Sequence, residues 1–216
     1  MTGVRIAVVG GGIAGVSAAY HLVEAHPDAE VFLLEAEPVL AHHTTGRSAA
    51  ILLENLTTRP NLILTRASVD FLRDTPTDLV DAPLLSPRTV MHISSEAQSD
   101  QMDELLAEGS LLPSPSVELT VDEAMDYFPP LRRELVDRAV LEPDCADIDV
   151  GALHQAYVRG FRRGGGRITT SARVDAARPD GNGWRLETTD GDVCADIVVN
   201  AAGAWGDVVA ARAGVE

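Results

Sequence analysis

Residues Val4 to Glu35 read VRIAVVGGGIAGVSAAYHLVEAHPDAEVFLLE. Val4 to Val9 is a short apolar run carrying one charge, Arg5, which is the composition of a strand buried on both faces. The run ends in Gly10-Gly11-Gly12-Ile13-Ala14-Gly15, which fits the pattern G-x-G-x-x-G. Ile13, Val16, Tyr20 and Val23 then recur at helical spacing, while Ala14, Ala18 and Ala19 keep that helix slim. Pro27-Asp28 stops it, and Glu30 to Leu34 predicts a second strand ending in Glu35, 20 residues beyond Gly15.

Each part of this stretch has a physical job in holding a dinucleotide. Gly10 allows the tight turn out of the strand, Gly12 lets the backbone approach a pyrophosphate, and Gly15 lets helix and strand pack closely. The helix start presents unpaired N–H groups and a partial positive charge to that pyrophosphate. Glu35 stands where a carboxylate can accept hydrogen bonds from ribose hydroxyls. The glycine pattern alone is weak evidence. Here the strand, the helix, the second strand and the acid are all in place.

The chain has 216 residues, enough for one large domain or two small ones, and a hydrophobic fraction of 45% sufficient for a real core. A formal charge of −16 argues against nucleic acid and anionic membrane as partners. Cys145 and Cys194 stand far apart and form no metal or redox motif. Two isolated cysteines and no signal peptide point to the cytoplasm. No apolar stretch reaches membrane-spanning length.

After Glu35 the chain departs from the plan of a plain NAD domain, in which a crossover helix and a third strand would follow promptly. Instead comes a small, polar loop, Ala41-His42-His43-Thr44-Thr45-Gly46-Arg47-Ser48-Ala49-Ala50, leading into Ile51-Leu52-Leu53. That pattern suits a longer, extended cofactor with a loop laid against its far end. Residues 59–73 predict a helix, Val80 to Ser94 an extended segment broken by Pro83 and Pro87, and Glu96 to Glu108 an acidic amphipathic helix closed by Gly109. Thr120-Val121-Asp122-Glu123 has capping-box spacing, with the helix ending before Pro129-Pro130. Val136 to Leu141 predicts a strand. Asp149 caps a helix with Val150, Leu153, Tyr157 and Phe161 on one face, ended by Gly164-Gly165-Gly166. Three extended runs follow, Arg167 to Arg178, Trp184 to Thr189 and Val193 to Val199, before Asn200-Ala201-Ala202-Gly203-Ala204-Trp205 and a short helix over Gly206 to Ala213. The dinucleotide fold is thus expected over 1–56 and 147–216, interrupted by a separate substrate layer over 57–146.

Four blocks, VVGGGIAGVSAAYHL, HHTTGRSAAILL, ADIDVGALHQAYVRGFRRGG and VVNAAGAWGDVVAARAGV, with APLLSPR as a shorter fifth, run in an order that resembles the FAD-dependent oxidoreductases of the D-amino-acid oxidase type. The likeness is greatest to bacterial FAD-dependent D-amino-acid dehydrogenases, including those acting on D-arginine. It implies an α/β protein: a Rossmann-like FAD-binding domain interrupted by part of an α+β substrate domain. By this resemblance Gly10, Gly12, Ile13, Ala14 and Gly15 hold the FAD pyrophosphate, and Glu35 with Ala36 the adenosine ribose. Thr44, Thr45, Gly46, Arg47, Ser48 and Ala49 line the flavin ring. Val174 contacts adenine through its backbone, and Ala201, Ala202, Gly203 and Trp205 close over the cofactor. The chemistry implied is oxidation of the Cα–N bond of an amino acid or amine, with hydride moving to the flavin.

Departures from the resemblance narrow the expectation. Ile51, Leu53 and Leu56 stand where relatives place polar or aromatic substrate-facing residues, and no acid follows Ser86-Pro87-Arg88, so an apolar substrate is favoured over a basic one. Relatives also continue past the position of Gly214-Val215-Glu216. The chain therefore reads as the first part of such an enzyme, with a second polypeptide as the candidate source of the remainder. In that case the strands near Val90 and Val140 are expected to lack a neighbour. Two other readings stay open: a flavin-binding subunit without activity of its own, and an NAD-binding dehydrogenase. No catalytic residue is assigned. His42 and His43 read as a plain loop pair, Arg47 equally as a flavin contact or a helix cap, Trp205 as a packing lid, and Asp144, Asp147 and Asp149 as a turn plus helix cap, with no metal site.

Overall fold

The structure, a computed structural model, describes residues 3–55 and 59–215. Leu56 and the expected boundary at 56/57 fall outside them. The chain divides into two compact units. One comprises the residues up to Ala49, Thr77–Asp81 and those from Val150 onward; the other comprises Ala50–Pro76 and Ala82–Asp149.

The first unit begins with β1 (Arg5–Val9), α1 (Ile13–Ala25) and β2 (Glu30–Leu34). The second follows with β3 (Ile51–Leu52), α2 (Arg59–Arg73), β4 (Leu85–Ser94), α3 (Ser99–Gly109), β5 (Val117–Leu119), α4 (Val121–Tyr127) and β6 (Arg138–Ile148). The chain returns to the first unit with α5 (Val150–Arg163), β7 (Arg167–Thr169), β8 (Val174–Asp180), β9 (Gly183–Thr188), β10 (Gly191–Ala195), β11 (Ile197–Asn200) and α6 (Gly206–Arg212).

In the first unit, β11-β1-β2-β7 form a parallel sheet. The apolar run of β1 is explained by its place, because both of its sheet neighbours are strands and both of its faces are covered. Ala7 and Val9 share a core with Leu186, Ala195, Val174 and Ala177 of the antiparallel β10-β9-β8 sheet. α1 buries Val16, Ala19, Tyr20 and Val23, and packs against β2 and α5. The short excursion Thr77–Asp81 joins this unit because Leu79 is fully buried, with its carbonyl accepting from the Arg159 guanidinium of α5.

Two of the extended runs expected from sequence each divide between sheets. Arg167 to Arg178 is β7, which extends the parallel sheet beside β2, and then β8, which opens the antiparallel one. At the corner Ser171 takes a φ of 55°, and the N–H groups of Ser171 and Ala172 donate to the carbonyls of Glu37 and Glu35. Val193 to Val199 is β10 and then β11, with Asp196 as the corner. Its carboxylate accepts from the Arg5 backbone N–H at 2.8 Å and the Arg5 guanidinium at 3.1 Å. β-propensity marks both halves of such a run as extended and carries no information about which neighbour each half will meet.

In the second unit, β6 is central: it pairs antiparallel with β4 on one side and with β3 and β5 on the other. It is longer than expected and runs on through Pro143 because a register shift opposite Arg88/Val90 absorbs the proline. Asp144 and Asp147 therefore lie in a strand rather than in a turn, and Asp147 pairs with Arg88. Val140 is fully buried between His92 of β4 and Glu118 of β5, which corrects the expectation of an unpaired neighbour there. The outer edge of β4 has no strand partner among the described residues. The capping box of α4 forms as its spacing predicts. The Glu123 N–H donates to Thr120 Oγ1 at 3.2 Å, and the Thr120 N–H to Glu123 Oε2 at 2.8 Å.

Candidate cofactor cleft

Strand β1 has β2 on one side and β11 on the other, and the chain leaves it in opposite senses to reach them. Such a switch point opens a crevice beyond the carboxyl ends of the strands. Here that crevice is a cleft of about 590 Å³ lined by the residues that follow β1, β2 and β11, together with the 41–45 loop, Ala172 to Val174 and α6.

The glycines shape its floor. Gly10 has a φ of 113°, and a Cβ there would stand 2.3 Å from the Ala201 carbonyl oxygen, so the turn after β1 accepts no side chain. At Gly15 a Cβ would meet the Gly10 oxygen at 1.8 Å, so only glycine lets α1 start this close to the strand. Gly12 precedes α1 with extended backbone and supplies no side-chain cap. The cap comes instead from a loop: the Ile13 N–H donates to Thr45 Oγ1 at 3.0 Å.

Glu35 sits at the end of β2 with both carboxylate oxygens engaged by backbone. Oε2 accepts the Gly11 N–H at 2.7 Å, and Oε1 accepts the Glu37 N–H at 2.8 Å. A carboxylate has about four acceptor positions, so this clamp orients the group and leaves capacity for two hydroxyl donors. Ala36 lines the cleft beside it. Val174 lines it from β8, with its carbonyl accepting from the Arg212 guanidinium of α6.

The remaining expected residues divide into two groups. Gly10, Gly12, Ile13, Ala14, Thr44, Thr45, Ala201, Ala202, Gly203 and Trp205 line the cleft, whereas Gly15 is outside the lining and packs against Gly10. Gly46, Arg47, Ser48 and Ala49 lie on the exposed continuation of the loop, outside the lining. Trp205 is about half exposed and holds its ring 4.5 Å from that of His43, with the two planes tilted by 51°, and His43 Nε2 is 2.9 Å from Glu37 Oε1. Glu37, His42 and His43 bring their ligand-capable atoms within 4.8 Å of one another, an arrangement that the Glu37–His43 contact and the edge-on packing of the two imidazoles already explain.

Sequence reasoning missed Gly11, Glu37, Arg173 and Arg212 as cleft residues, and His154, which donates from α5 to the Gly11 carbonyl at 2.9 Å. Gly11 fills a variable position of the motif. His154 and Arg212 come close only through tertiary packing.

These residues fit the adenosine and pyrophosphate of a dinucleotide. Bare backbone at Gly12 faces the cleft, where a Cβ would meet only Thr45 Oγ1, at 3.2 Å, and a helix start and an oriented carboxylate flank it. The fold and the site thus define a dinucleotide-binding α/β protein. The chain belongs to the FAD dependent oxidoreductase family, whose model matches residues 5–216. It is 22% identical over 211 residues to an L-2-hydroxyglutarate dehydrogenase of Indibacter alkaliphilus, covering 95% of this chain and 52% of that protein. It is 27% identical over 218 residues to the mitochondrial dimethylglycine dehydrogenase of Homo sapiens, covering 97% and 24%. In fold it is similar to glycine oxidase from Geobacillus kaustophilus, with a TM-score of 0.83 at 24% identity, covering 98% of this chain and 59% of that one. The chain spans about half or less of the length of these curated relatives. Membership of an FAD-dependent family sets aside the NAD reading. No helix among the described residues is long and apolar enough to cross a membrane.

Proposed function

We propose that this chain is the cofactor-holding part of an oxidoreductase that oxidises the Cα–N bond of an amino acid or amine to the imine, with hydride leaving Cα for the flavin and a D-amino acid as the favoured substrate class. The observation that carries the reading is the Glu35 carboxylate, fixed by the Gly11 and Glu37 N–H groups at the mouth of the switch-point cleft. The blocks HHTTGRSAAILL and ADIDVGALHQAYVRGFRRGG support the amino-acid class, as does the similarity to proteins described as glycine oxidase and dimethylglycine dehydrogenase.

In this reading Glu35 and Ala36 receive the adenosine ribose, and Val174 flanks the adenine. Gly10, Gly12, Ile13, Ala14 and Gly15 surround the pyrophosphate, which the start of α1 favours through its N–H groups and dipole. Thr44 and Thr45, then Gly46, Arg47, Ser48 and Ala49, run toward the flavin. Ala201, Ala202, Gly203 and Trp205 cover the cofactor, with Trp205 steadied by its ring contact with His43. FAD when bound supplies the hydride acceptor, and the protein's part is to bind it, orient it and exclude water. The first unit is the FAD-binding domain and the second is part of the substrate domain.

The outer edge of β4, without a strand partner among the described residues, and the 59% coverage of glycine oxidase motivate a further part of this reading. The substrate sheet is completed by polypeptide beyond these residues, supplied in the same or a second chain. The free thiols of Cys145 and Cys194 suit a reducing compartment, the cytoplasm.

The relative described as an L-2-hydroxyglutarate dehydrogenase motivates a second reading, oxidation of a hydroxy acid at carbon–oxygen. One experiment addresses both. Protein saturated with flavin is denatured and the released cofactor identified, and the intact holoprotein is then mixed anaerobically with D-amino acids, sarcosine, glycine and 2-hydroxy acids. Release of FAD, with bleaching of its absorbance by an amino acid or amine, is the expected result. Bleaching by hydroxy acids alone would replace the proposal with the second reading, and release of NAD would overturn both. FAD release without bleaching by any compound would match the subunit without activity of its own.

A further inference from the structure

The turn on which the cleft depends is held from behind by a residue outside the cleft lining. His154, on the second turn of α5 and only 2% exposed, places Nε2 2.9 Å from the carbonyl oxygen of Gly11. A carbonyl oxygen only accepts, so Nε2 carries the proton and donates. The same oxygen accepts the Ala41 N–H at 3.2 Å, while the Gly11 N–H donates to Glu35 Oε2 at 2.7 Å. Gly11 therefore ties together the turn after β1, the acid after β2, the 41–45 loop and α5. α5 comes within reach because α1 and α5 meet at Gly160, where a Cβ would lie 2.5 Å from the Tyr20 ring.

Peptide geometry carries this contact to the cleft. The bond between Gly11 and Gly12 is trans, as are all the described peptides, and a trans peptide holds its N–H opposite its carbonyl. With the Gly11 oxygen drawn toward α5, the Gly12 N–H is turned away from α5, and Gly12 lines the cleft. We infer that His154 is a positioning residue for the dinucleotide: its hydrogen bond fixes the Gly11–Gly12 peptide in the orientation in which the glycine turn meets the pyrophosphate. The inference rests on the FAD reading above. Without the imidazole donor, a buried carbonyl loses one of its two partners and is left with the longer Ala41 contact alone, so the peptide is held less tightly.

The test compares wild type with His154→Leu, which lacks a donor, and His154→Gln, whose amide nitrogen can stand near the position of Nε2. FAD affinity is read by flavin fluorescence titration of the full chain, well below each variant's unfolding temperature. Thermal unfolding without flavin is read separately. We expect the dissociation constant for FAD to rise roughly ten- to a hundredfold in His154→Leu and to stay within about threefold of wild type in His154→Gln. If His154→Leu does not fold, His154→Asn, whose amide is one carbon shorter, takes its place in the same comparison. Equal affinities in all folded variants overturn the positioning role even if unfolding temperatures differ, since the histidine is then structural only. A wild type that binds no FAD removes the cofactor reading itself, and the role of His154 with it.

Discussion

Thr45 Oγ1 lies 3.0 Å from the backbone nitrogen of Ile13, so a loop hydroxyl caps the helix that follows the glycine turn, 32 residues earlier in the chain. Gly12, the residue at the cap position, has no side chain to do this. In the proposed function the N–H groups at the start of α1 also face the pyrophosphate, which would place the hydroxyl and the phosphate side by side or in competition.

Thr45→Val should separate these two cases. Loss of the cap is expected to lower stability of the flavin-free protein by about 1 kcal/mol. If phosphate oxygens take over the cap, the unfolding temperature with saturating FAD changes less than that without it. Differential scanning fluorimetry with and without FAD reads this directly, and an equal loss in both conditions would show that Thr45 keeps its bond to Ile13 in the complex.

Glu35→Ala removes a carboxylate that holds two backbone N–H groups and, in the proposed function, the ribose. FAD binding is expected to weaken by about 1–3 kcal/mol, the range for charge-assisted hydrogen bonds. Gly12→Val should cost more, because its side chain would enter the cleft at the proposed pyrophosphate position. Isothermal titration of both variants with FAD checks the order, and wild-type affinity in either would remove the assigned site.

The Arg5 side chain and backbone N–H hold the Asp196 carboxyl below its ordinary range, with the side-chain hydrogen bond as the larger cause. A depressed folded-state pKa stabilises the fold above the unfolded value, about 3.9 for aspartate. That stabilisation is lost as pH falls through the folded value. Asp196→Asn should therefore narrow its stability gap to wild type on acidification below about pH 4. Urea unfolding at pH 7 and pH 3 measures it; a gap that does not change between them would mean that the corner between β10 and β11 does not depend on this ionisation.

Burial, followed by the charge of Glu142, pushes the Cys145 thiol up to about 12. A raised folded-state pKa means that the thiol contribution to stability is intact below the unfolded value, about 8.5, and is lost as pH climbs toward the folded one. Cys145 should stay unalkylated by iodoacetamide in the native protein at pH 8, while the half-buried Cys194 reacts. Peptide mass spectrometry after brief labelling distinguishes them. Equal labelling would mean that the β4–β6 sheet opens on the timescale of the reaction.

Features set by neighbours along the chain are legible in the sequence by itself. The glycine turn from Gly10 to Gly15, the acid at Glu35 and the Thr120–Glu123 capping box each depend on a fixed local spacing, so residue types at those spacings are enough to find them. The four resembling blocks extend this to a cofactor and a family, and the family match covers residues 5–216. Tertiary structure alone decides which extended residues pair with which. A continuous β-like run such as Val193 to Val199 looks uniform in propensity, yet the Arg5–Asp196 clamp, spanning 191 positions, turns its second half into the parallel sheet. For the same reason no pattern near Leu79 announces its burial in the first unit. His154 reads in sequence as a structural residue with no assigned role, and only the close packing of α5 on α1 at Gly160 brings its imidazole, 143 positions away, to the carbonyl of Gly11.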